Sequence, residues 1–208
     1  MDFFSTPAGL FSLAIIPSIL VSVGGWYYWR HLDKSWNQRQ VSQVLESIGV
    51  SYIQDIILPD GIEGYTYIDY LLLTPKGIVV LDINLSQGHL FGGESVDEWT
   101  QIVNKKTYKF RNPLYDNQTK CQAVRWNISN NISENTDTSE NLETHGWIAF
   151  SSAGNFPKGI PDNISMIKDL NDDLEKKFNL SANSSGSSQD ILDELFALST
   201  TTREEVEH

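Results

Sequence analysis

The sequence is poor in cysteine and in positive charge. Its 208 residues include a single cysteine, Cys121, so an intrachain disulfide is excluded and a reducing compartment fits. The 15 lysines and arginines stand against 27 aspartates and glutamates, which gives a formal net charge of −12. A chain this acidic has no general surface for polyanions, so any contact with nucleic acid must come from a local basic patch. The length allows one domain of ordinary size plus appendages.

Charge is also absent from the first part of the chain. No charged residue lies between Asp2 and Arg30, and residues 6–29 are nearly all apolar or small. About twenty such residues suffice to cross the bilayer core as a helix. The aromatic run at 26–29 is typical of a membrane interface, and the basic residues after it predict that the rest of the chain is cytoplasmic. We therefore expect a single-pass transmembrane anchor within residues 1–30.

Two other interpretations of this apolar segment are less favoured. A cleaved signal peptide would have a basic region before the apolar run and small residues at its end, whereas this chain has neither. A buried helix of a soluble domain would not need the aromatic belt or the basic residues that follow it.

The remaining sequence alternates between helical and strand-like patterns. Apolar residues recur at helical spacing from Val41 to Ile48, and Gly49 is a typical stop. We expect strands at 51–58, 67–73, 78–83, 147–151 and 163–167, and helices at 114–126, 170–178 and 191–198. The domain that begins at residue 31 is predicted to extend to 180, with a flexible insertion at 127–144. Residues 181–208 are predicted to form a flexible acidic tail with a short amphipathic helix, a polar spacer at 181–188 and a disordered end at 201–208.

Two aspartates fall in neighbouring strands of this pattern. Asp69 opens the apolar run of one strand and Asp82 nearly closes the next, and the short turn at 74–77 predicts an antiparallel hairpin. The two carboxylates should then lie close together, as a hard cation such as Mg²⁺ requires, and the carbonyl of Ile83 would complete the protein ligands. Acidic residues at strand ends are also common as solvated groups, so this spacing alone is a weak indication of metal.

An ordered series of motifs surrounds the hairpin, at residues 67–73, 77–84, 88–92, 99 and 112–114. This series resembles the NERD, or nuclease-related, domain, and the resemblance covers about residues 36–126 with a weaker continuation through 147–178. It implies an α/β fold with a restriction-endonuclease-like core of the PD-(D/E)xK type. Such a core is a mixed central sheet flanked by helices, here preceded by a single transmembrane helix.

The resemblance also assigns roles to individual residues. Asp69 matches the family's metal-binding aspartate, and Asp82 matches the acidic residue of its Glu-x-Lys motif, so Mg²⁺ is the implied cofactor. Several functional positions depart from the family: Gln38 stands in place of a carboxylate, Tyr67 of glutamine, Tyr70 of histidine, Asn84 of the motif's lysine and Asp116 of glutamine.

The departure at Asn84 bears directly on catalysis. Asp69, Asp82 and Asn84 occupy the positions of a nuclease's catalytic residues, but an amide cannot supply the positive charge that stabilises the developing phosphorane. Hydrolysis at such a site should be slow, unless a lysine from elsewhere in the fold substitutes. The candidates for that substitution are Lys105, Lys106 and Lys109.

One basic cluster, interleaved with aromatic residues, lies in the soluble part of the chain. Beside the hairpin it could hold a DNA or RNA backbone while the aromatics stack on bases. The alternative is a solvated basic face on an acidic chain. The candidate nucleic-acid-binding residues are Lys105, Lys106, Lys109, Arg111 and Lys120.

Three hypotheses for function follow from these patterns. The favoured one is a membrane-anchored NERD-like protein with a degenerate metal site that binds nucleic acid or a partner with little or no hydrolysis. The second is an active Mg²⁺-dependent phosphodiester nuclease with a divergent Asp-x-Asn site. The third is a membrane-tethered scaffold for protein partners.

Overall fold

The computed structural model describes residues 35–131, 142–180 and 186–206. The expected membrane anchor at residues 6–29 lies outside these ranges. No helix within the described ranges is long and apolar enough to cross a membrane. The chain divides into two units, 1–39, of which residues 35–39 are described, and 40–208, which contains both sheets.

The described residues form two sheets and four α-helices. In chain order the elements are α1 (35–48), β1 (Ser51–Pro59), β2 (Tyr65–Thr74), β3 (Gly77–Asn84), β4 (Gly88–Phe91), β5 (Glu98–Val103), β6 (Lys106–Arg111), α2 (Pro113–Asn131), β7 (Thr144–Phe150), β8 (Gly154–Asn155), β9 (Ile164–Met166), α3 (Leu170–Phe178) and α4 (Gly186–Val206). The larger sheet has the strand order β1-β2-β3-β7-β9, and the smaller has β6-β5-β4-β8. Strand β2 is antiparallel to both of its neighbours, β1 and β3, whereas β3, β7 and β9 pair in parallel. The expected α/β fold with a mixed sheet flanked by helices is therefore confirmed.

The β2–β3 hairpin is held by its turn residues. Thr74 Oγ1 donates to the carbonyl of Gly77 over 2.7 Å, which closes the turn. Gly77 has a φ of +119°, where other residues are strained, and an added Cβ would collide with the carbonyl oxygen of Glu143. The predicted antiparallel hairpin is confirmed by this geometry and by the pairing of Leu73 with Ile78.

Both faces of the larger sheet are covered by helices, so its central strands are buried on both sides. On one face Val80 and Leu71 pack with Val124 of α2 and Leu195 of α4. On the other face the core is built by residues of β2, β3 and β7 together with α1 and α3, namely Val41, Leu45, Tyr70, Leu72, Val79, Leu81, Trp147, Leu170, Leu174 and Phe178. Near-continuous apolar runs are the sequence pattern of strands buried in this way.

Two expected loop segments are helical instead. Helix α2 continues to Asn131, past the predicted end at 126, and Asn127 is fully buried with its amide donating to the carbonyls of Pro59 and Ala123, both at 2.8 Å. The prediction of a flexible insertion from 127 is therefore wrong for residues 127–131. Residues 132–141 of that predicted insertion lie outside the described ranges.

Helix α4 runs from Gly186 to Val206 and packs against the edge strand β1. Ser199 Oγ accepts the main-chain N–H of Ile57 at 3.0 Å, and the Arg203 guanidinium donates to the carbonyl of Asp55. The helix thereby satisfies polar groups that an edge strand would otherwise leave to water. The prediction of a flexible spacer through 188 and a disordered end from 201 is wrong for residues 186–188 and 201–206, because these polar contacts are invisible to hydrophobic periodicity. The amphipathic helix predicted at 191–198 lies within α4.

Neighbouring positions on α4 test whether the helix is part of the core. Leu195 is fully buried, whereas the side chain of Phe196 is largely exposed. We predict that Leu195→Ala lowers the free energy of unfolding by about 2–5 kcal/mol, the usual cost of removing a buried leucine. Phe196→Ala is the matched control and should change stability by less than about 1 kcal/mol. Equal effects in urea denaturation would contradict the described packing of α4.

Candidate functional site

Asp69 and Asp82 lie opposite each other at the open end of the β2–β3 hairpin. Tyr70 pairs with Leu81, so the antiparallel register carries Asp69 to the position across from Asp82. Both residues are buried. Asp69 Oδ2 accepts the main-chain N–H of Ile83 at 2.8 Å, which ties the two strands together at this level. The sequence-predicted pair is therefore brought to one place in the sheet.

Helix α2 supplies the two side chains that contact Asp82. Lys120 Nζ lies 2.7 Å from Oδ1 in an ion pair, and the Asn117 amide donates to Oδ2 at 3.0 Å. Residues three apart on a helix lie on the same face, so Asn117 and Lys120 reach the carboxylate side by side. Both oxygens of Asp82 are thus engaged by hydrogen-bond donors from one helix turn.

Asn117 is fixed more firmly than a single contact would allow. Its amide also donates to the carbonyl of Val80 at 3.1 Å, and lies 3.5 Å from the carbonyl of Trp147. Gly146, on β7, makes room for this side chain, since an added Cβ would collide with Asn117 Oδ1. The site is therefore held by α2, β3 and β7 together.

The side chain of Asn84 stabilises a turn and makes no described hydrogen bond to Asp69 or Asp82. Its side-chain oxygen accepts the N–H of Ser86 at 2.9 Å, and its carbonyl accepts the N–H of Ser151 at 3.0 Å. The positive charge that the sequence lacks at position 84 comes instead from Lys120. From the sequence alone, Lys120 is predicted to contact nucleic acid, and the substitute lysine is expected elsewhere. The contact could have been expected from helix α2, because one face of it carries Asn117, Lys120 and Cys121 at helical spacing.

The two tyrosines that replace family residues have separate partners. Tyr70 is fully buried on the α1 side, where its Oη lies 3.0 Å from Ser42 Oγ, and burial raises the pKa of Tyr70 to about 12. The Tyr67 hydroxyl donates to the carboxylate of Asp55, and burial, reinforced by that carboxylate, raises the pKa of Tyr67 above its ordinary value. Gln38, a further replaced position, lies on α1 in the short described part of the first unit.

Burial also governs the lone cysteine beside this site. Cys121 follows Lys120 on α2 and packs in the core, and burial raises the pKa of its thiol to about 12. A protonated thiol is a poor nucleophile, so Cys121 acts as a small core residue.

The other basic residues lie on the smaller sheet. Lys105 forms the β5–β6 turn with Asn104, and both have positive φ, which suits a two-residue hairpin. Lys109 pairs with Glu98 at 3.2 Å, and Arg111 pairs with Asp116 at 3.0 Å. Lys105 and Lys106 are exposed and make no ion pair with any described residue. The predicted basic cluster thus separates into a β5–β6 hairpin group and Lys120 at the aspartates.

Comparison with known proteins identifies the family of this chain. Residues 33–151 match the nuclease-related domain family, NERD, which is more than half of the sequence. The chain belongs to the NERD family. It is also similar to an uncharacterized protein from Bacillus anthracis, with 28% identity over 67 residues, which is 32% of this chain and 32% of that protein. The match therefore spans about a third of the relative's length. No solved structure matches the chain.

Nucleases related to NERD domains usually use divalent metals, but the donors around Asp82 do not fit one. A metal needs oxygen lone pairs that converge on it. Here an ammonium and an amide N–H point at the two oxygens of Asp82, and a main-chain N–H points at Asp69. Within the described ranges no group of three or more His, Cys, Asp or Glu residues could hold a metal ion.

The packing of Asn117 against Gly146 provides a test of how the site is built. We predict that Gly146→Ala lowers the free energy of unfolding by about 1–3 kcal/mol, because the added methyl displaces a buried hydrogen-bonding amide. Gly93→Ala is the matched control, since no atom lies within 4 Å of its added Cβ and its φ is not positive. Chemical denaturation of both variants measures the difference. A Gly146→Ala protein as stable as the Gly93→Ala protein would refute this account of Asn117.

Proposed function

We propose that this protein is a membrane-anchored, nuclease-related module that binds nucleic acid with little or no hydrolysis. The observation that carries the proposal is the engagement of both Asp82 oxygens by Lys120 and Asn117. Membership of the nuclease-related family supports nucleic acid as the class of ligand.

The arrangement at Asp82 argues against efficient hydrolysis. Metal-assisted cleavage of a phosphodiester requires a Lewis acid that activates water and stabilises the charge on phosphorus. The ion pair with Lys120 neutralises Asp82, the carboxylate that would bind this Lewis acid. The side chain of Asn84 instead accepts the main-chain N–H of Ser86 in a turn. A site with these contacts keeps the nuclease framework without its chemistry.

The tip of the β5–β6 hairpin is the proposed nucleic-acid contact. Lys105 and Lys106 are exposed, and the half-exposed ring of Tyr108 follows them on the edge strand β6. The exposed pairs of Lys109 and Arg111 are weak enough to exchange their carboxylates for phosphates. Because the chain as a whole is acidic, binding should be modest and strongly dependent on salt.

The proposed anchor is the apolar segment at residues 6–29. Its length, its aromatic end and the basic residues that follow support a single-pass position with residues 31–208 in the cytoplasm. The nucleic-acid partner in this proposal is therefore cytoplasmic DNA or RNA near a membrane.

A cleavage assay on the full chain tests the absence of hydrolysis. We expect the wild-type protein, in Mg²⁺ or Mn²⁺, to leave plasmid and single-stranded DNA intact at enzyme concentrations where a metal-dependent nuclease digests them. Asn84→Lys restores the family's charge at that position, and activity gained by this variant would identify the wild-type site as a degenerate nuclease site. Metal-dependent cleavage by the wild type, abolished by Asp69→Ala, would contradict the proposal.

That contrary outcome would favour an active nuclease, and one observation supports it as the second candidate. Lys120 brings an ammonium within 2.7 Å of Asp82 from α2, which is the charge that Asn84 does not supply. In an active enzyme Lys120→Met would abolish cleavage, whereas charge reversal at Lys105 would only weaken DNA binding.

Charge reversal on the β5–β6 hairpin tests the binding surface. We predict that Lys105→Glu/Lys106→Glu weakens DNA binding by at least about tenfold at low salt and flattens the plot of log affinity against log salt by roughly 0.9 for each phosphate that is no longer neutralised. Lys176→Glu/Lys177→Glu on α3 is the matched control, because these exposed lysines are also adjacent and the net charge changes equally. Fluorescence anisotropy with labelled oligonucleotides measures both. Equal losses in the two variants would contradict a specific hairpin surface.

A further inference from the structure

The Lys120–Asp82 pair is more enclosed than the other lysine–carboxylate pairs among the described residues. The side chains of Lys120 and Asp82 are 22% and 13% exposed, whereas the exposed fractions in the Lys109–Glu98 pair are 68% and 59%. An ammonium is costly to withdraw from water unless a paired charge compensates. The ion pair with Asp82 therefore compensates the cost of withdrawing the Lys120 ammonium from water.

The hydrogen bonds described for the two aspartates come from three different donors. Ile83 offers a main-chain N–H to Asp69, Asn117 offers an amide N–H to Asp82, and Lys120 offers a positive charge. Two buried carboxylates on neighbouring strands of a hairpin repel each other unless a cation lies near them. Lys120 is the described residue that brings a cation to this position.

We propose that the Lys120 ammonium is a built-in replacement for the divalent cation of a nuclease site. It neutralises Asp82 from α2, stabilises the open end of the hairpin and thereby excludes Mg²⁺ or Mn²⁺. This inference rests on the proposed loss of hydrolysis and explains how the fold tolerates it. The chain keeps its buried carboxylates because the cation they require is covalently attached.

Metal titration of the full chain, followed by thermal unfolding without nucleic acid, tests this role. Wild-type protein should unfold at the same temperature in EDTA, Mg²⁺ and Mn²⁺. Lys120→Met should lower the unfolding temperature in EDTA by roughly 5–10 °C, since it leaves a buried charge uncompensated. Added Mn²⁺ should then raise the unfolding temperature of Lys120→Met and recover part of that loss. Lys106→Met is the control, and it should show neither effect.

Three further variants keep the test decisive. Lys120→Gln retains a hydrogen-bond donor without the charge, so it should fold and respond to Mn²⁺ even if Lys120→Met does not fold. Lys120→Met/Asp82→Asn should recover stability without metal, because the uncompensated carboxylate is gone. As a charge-preserving control, Lys120→Arg should remain insensitive to Mn²⁺.

The inference is overturned if the wild type is stabilised by Mn²⁺, or if Lys120→Gln gains no Mn²⁺ response beyond that of Lys106→Met. Its failure is distinct from failure of the proposed function, which is measured by DNA cleavage by the wild type and by DNA binding of the wild type and its hairpin variants. Loss of DNA binding would leave the Mn²⁺ result for Lys120 intact, and the reverse holds as well.

Discussion

The binding of the Asp82 carboxylate by side chains of helix α2 is the interaction on which the open end of the β2–β3 hairpin depends. Asp82 continues the face of β3 that carries Ile78 and Val80, which pack with apolar residues of α2. A charge at this depth destabilises the fold unless every oxygen has a partner. Lys120 and Asn117 satisfy that condition, and Asn117 also binds the backbones of β3 and β7. One polar cluster therefore joins α2 to two central strands.

A second constraint acts on the other side of Asp69, at the edge of the sheet. Asp55 lies opposite it on β1 and has a φ of +54°, unusual for a residue inside a strand. Residues three apart on β1, Ile53 and Ile56, pack in the same core although period-two alternation would separate them. Tyr67 binds the Asp55 carboxylate and Arg203 binds its carbonyl, so side chains of β2 and α4 stabilise this irregular backbone. Helix α4 therefore helps to stabilise the part of the sheet that contains Asp55 and Asp69.

The sequence predicts the framework well and the polar contacts poorly, for physical reasons. Buried strands such as β2 and β3 carry long apolar runs, and Gly49 and Gly77 mark turns that few other residues permit. The smaller sheet has no such apolar pattern in its edge strand, because β6 is exposed and polar along most of its length. The contact of Lys120 with Asp82 is not predicted for a related reason, because a lysine is expected to be solvated unless the fold brings a carboxylate to it. Asp69 and Asp82 are predictable as a pair, but their partner on α2 depends on tertiary packing.

The separation between framework and chemistry explains how functional positions of a nuclease-related domain can change together while the fold persists. Apolar burial stabilises the sheet independently of what stands at Asn84 or Tyr70. The aspartates are different, since a buried carboxylate is a liability to stability unless a nearby positive charge compensates it. Replacing both by apolar residues would remove the liability, yet Asp69 also closes the hairpin through Ile83 and Asp82 also anchors α2. Retaining the carboxylates and supplying a lysine satisfies both constraints with one side chain.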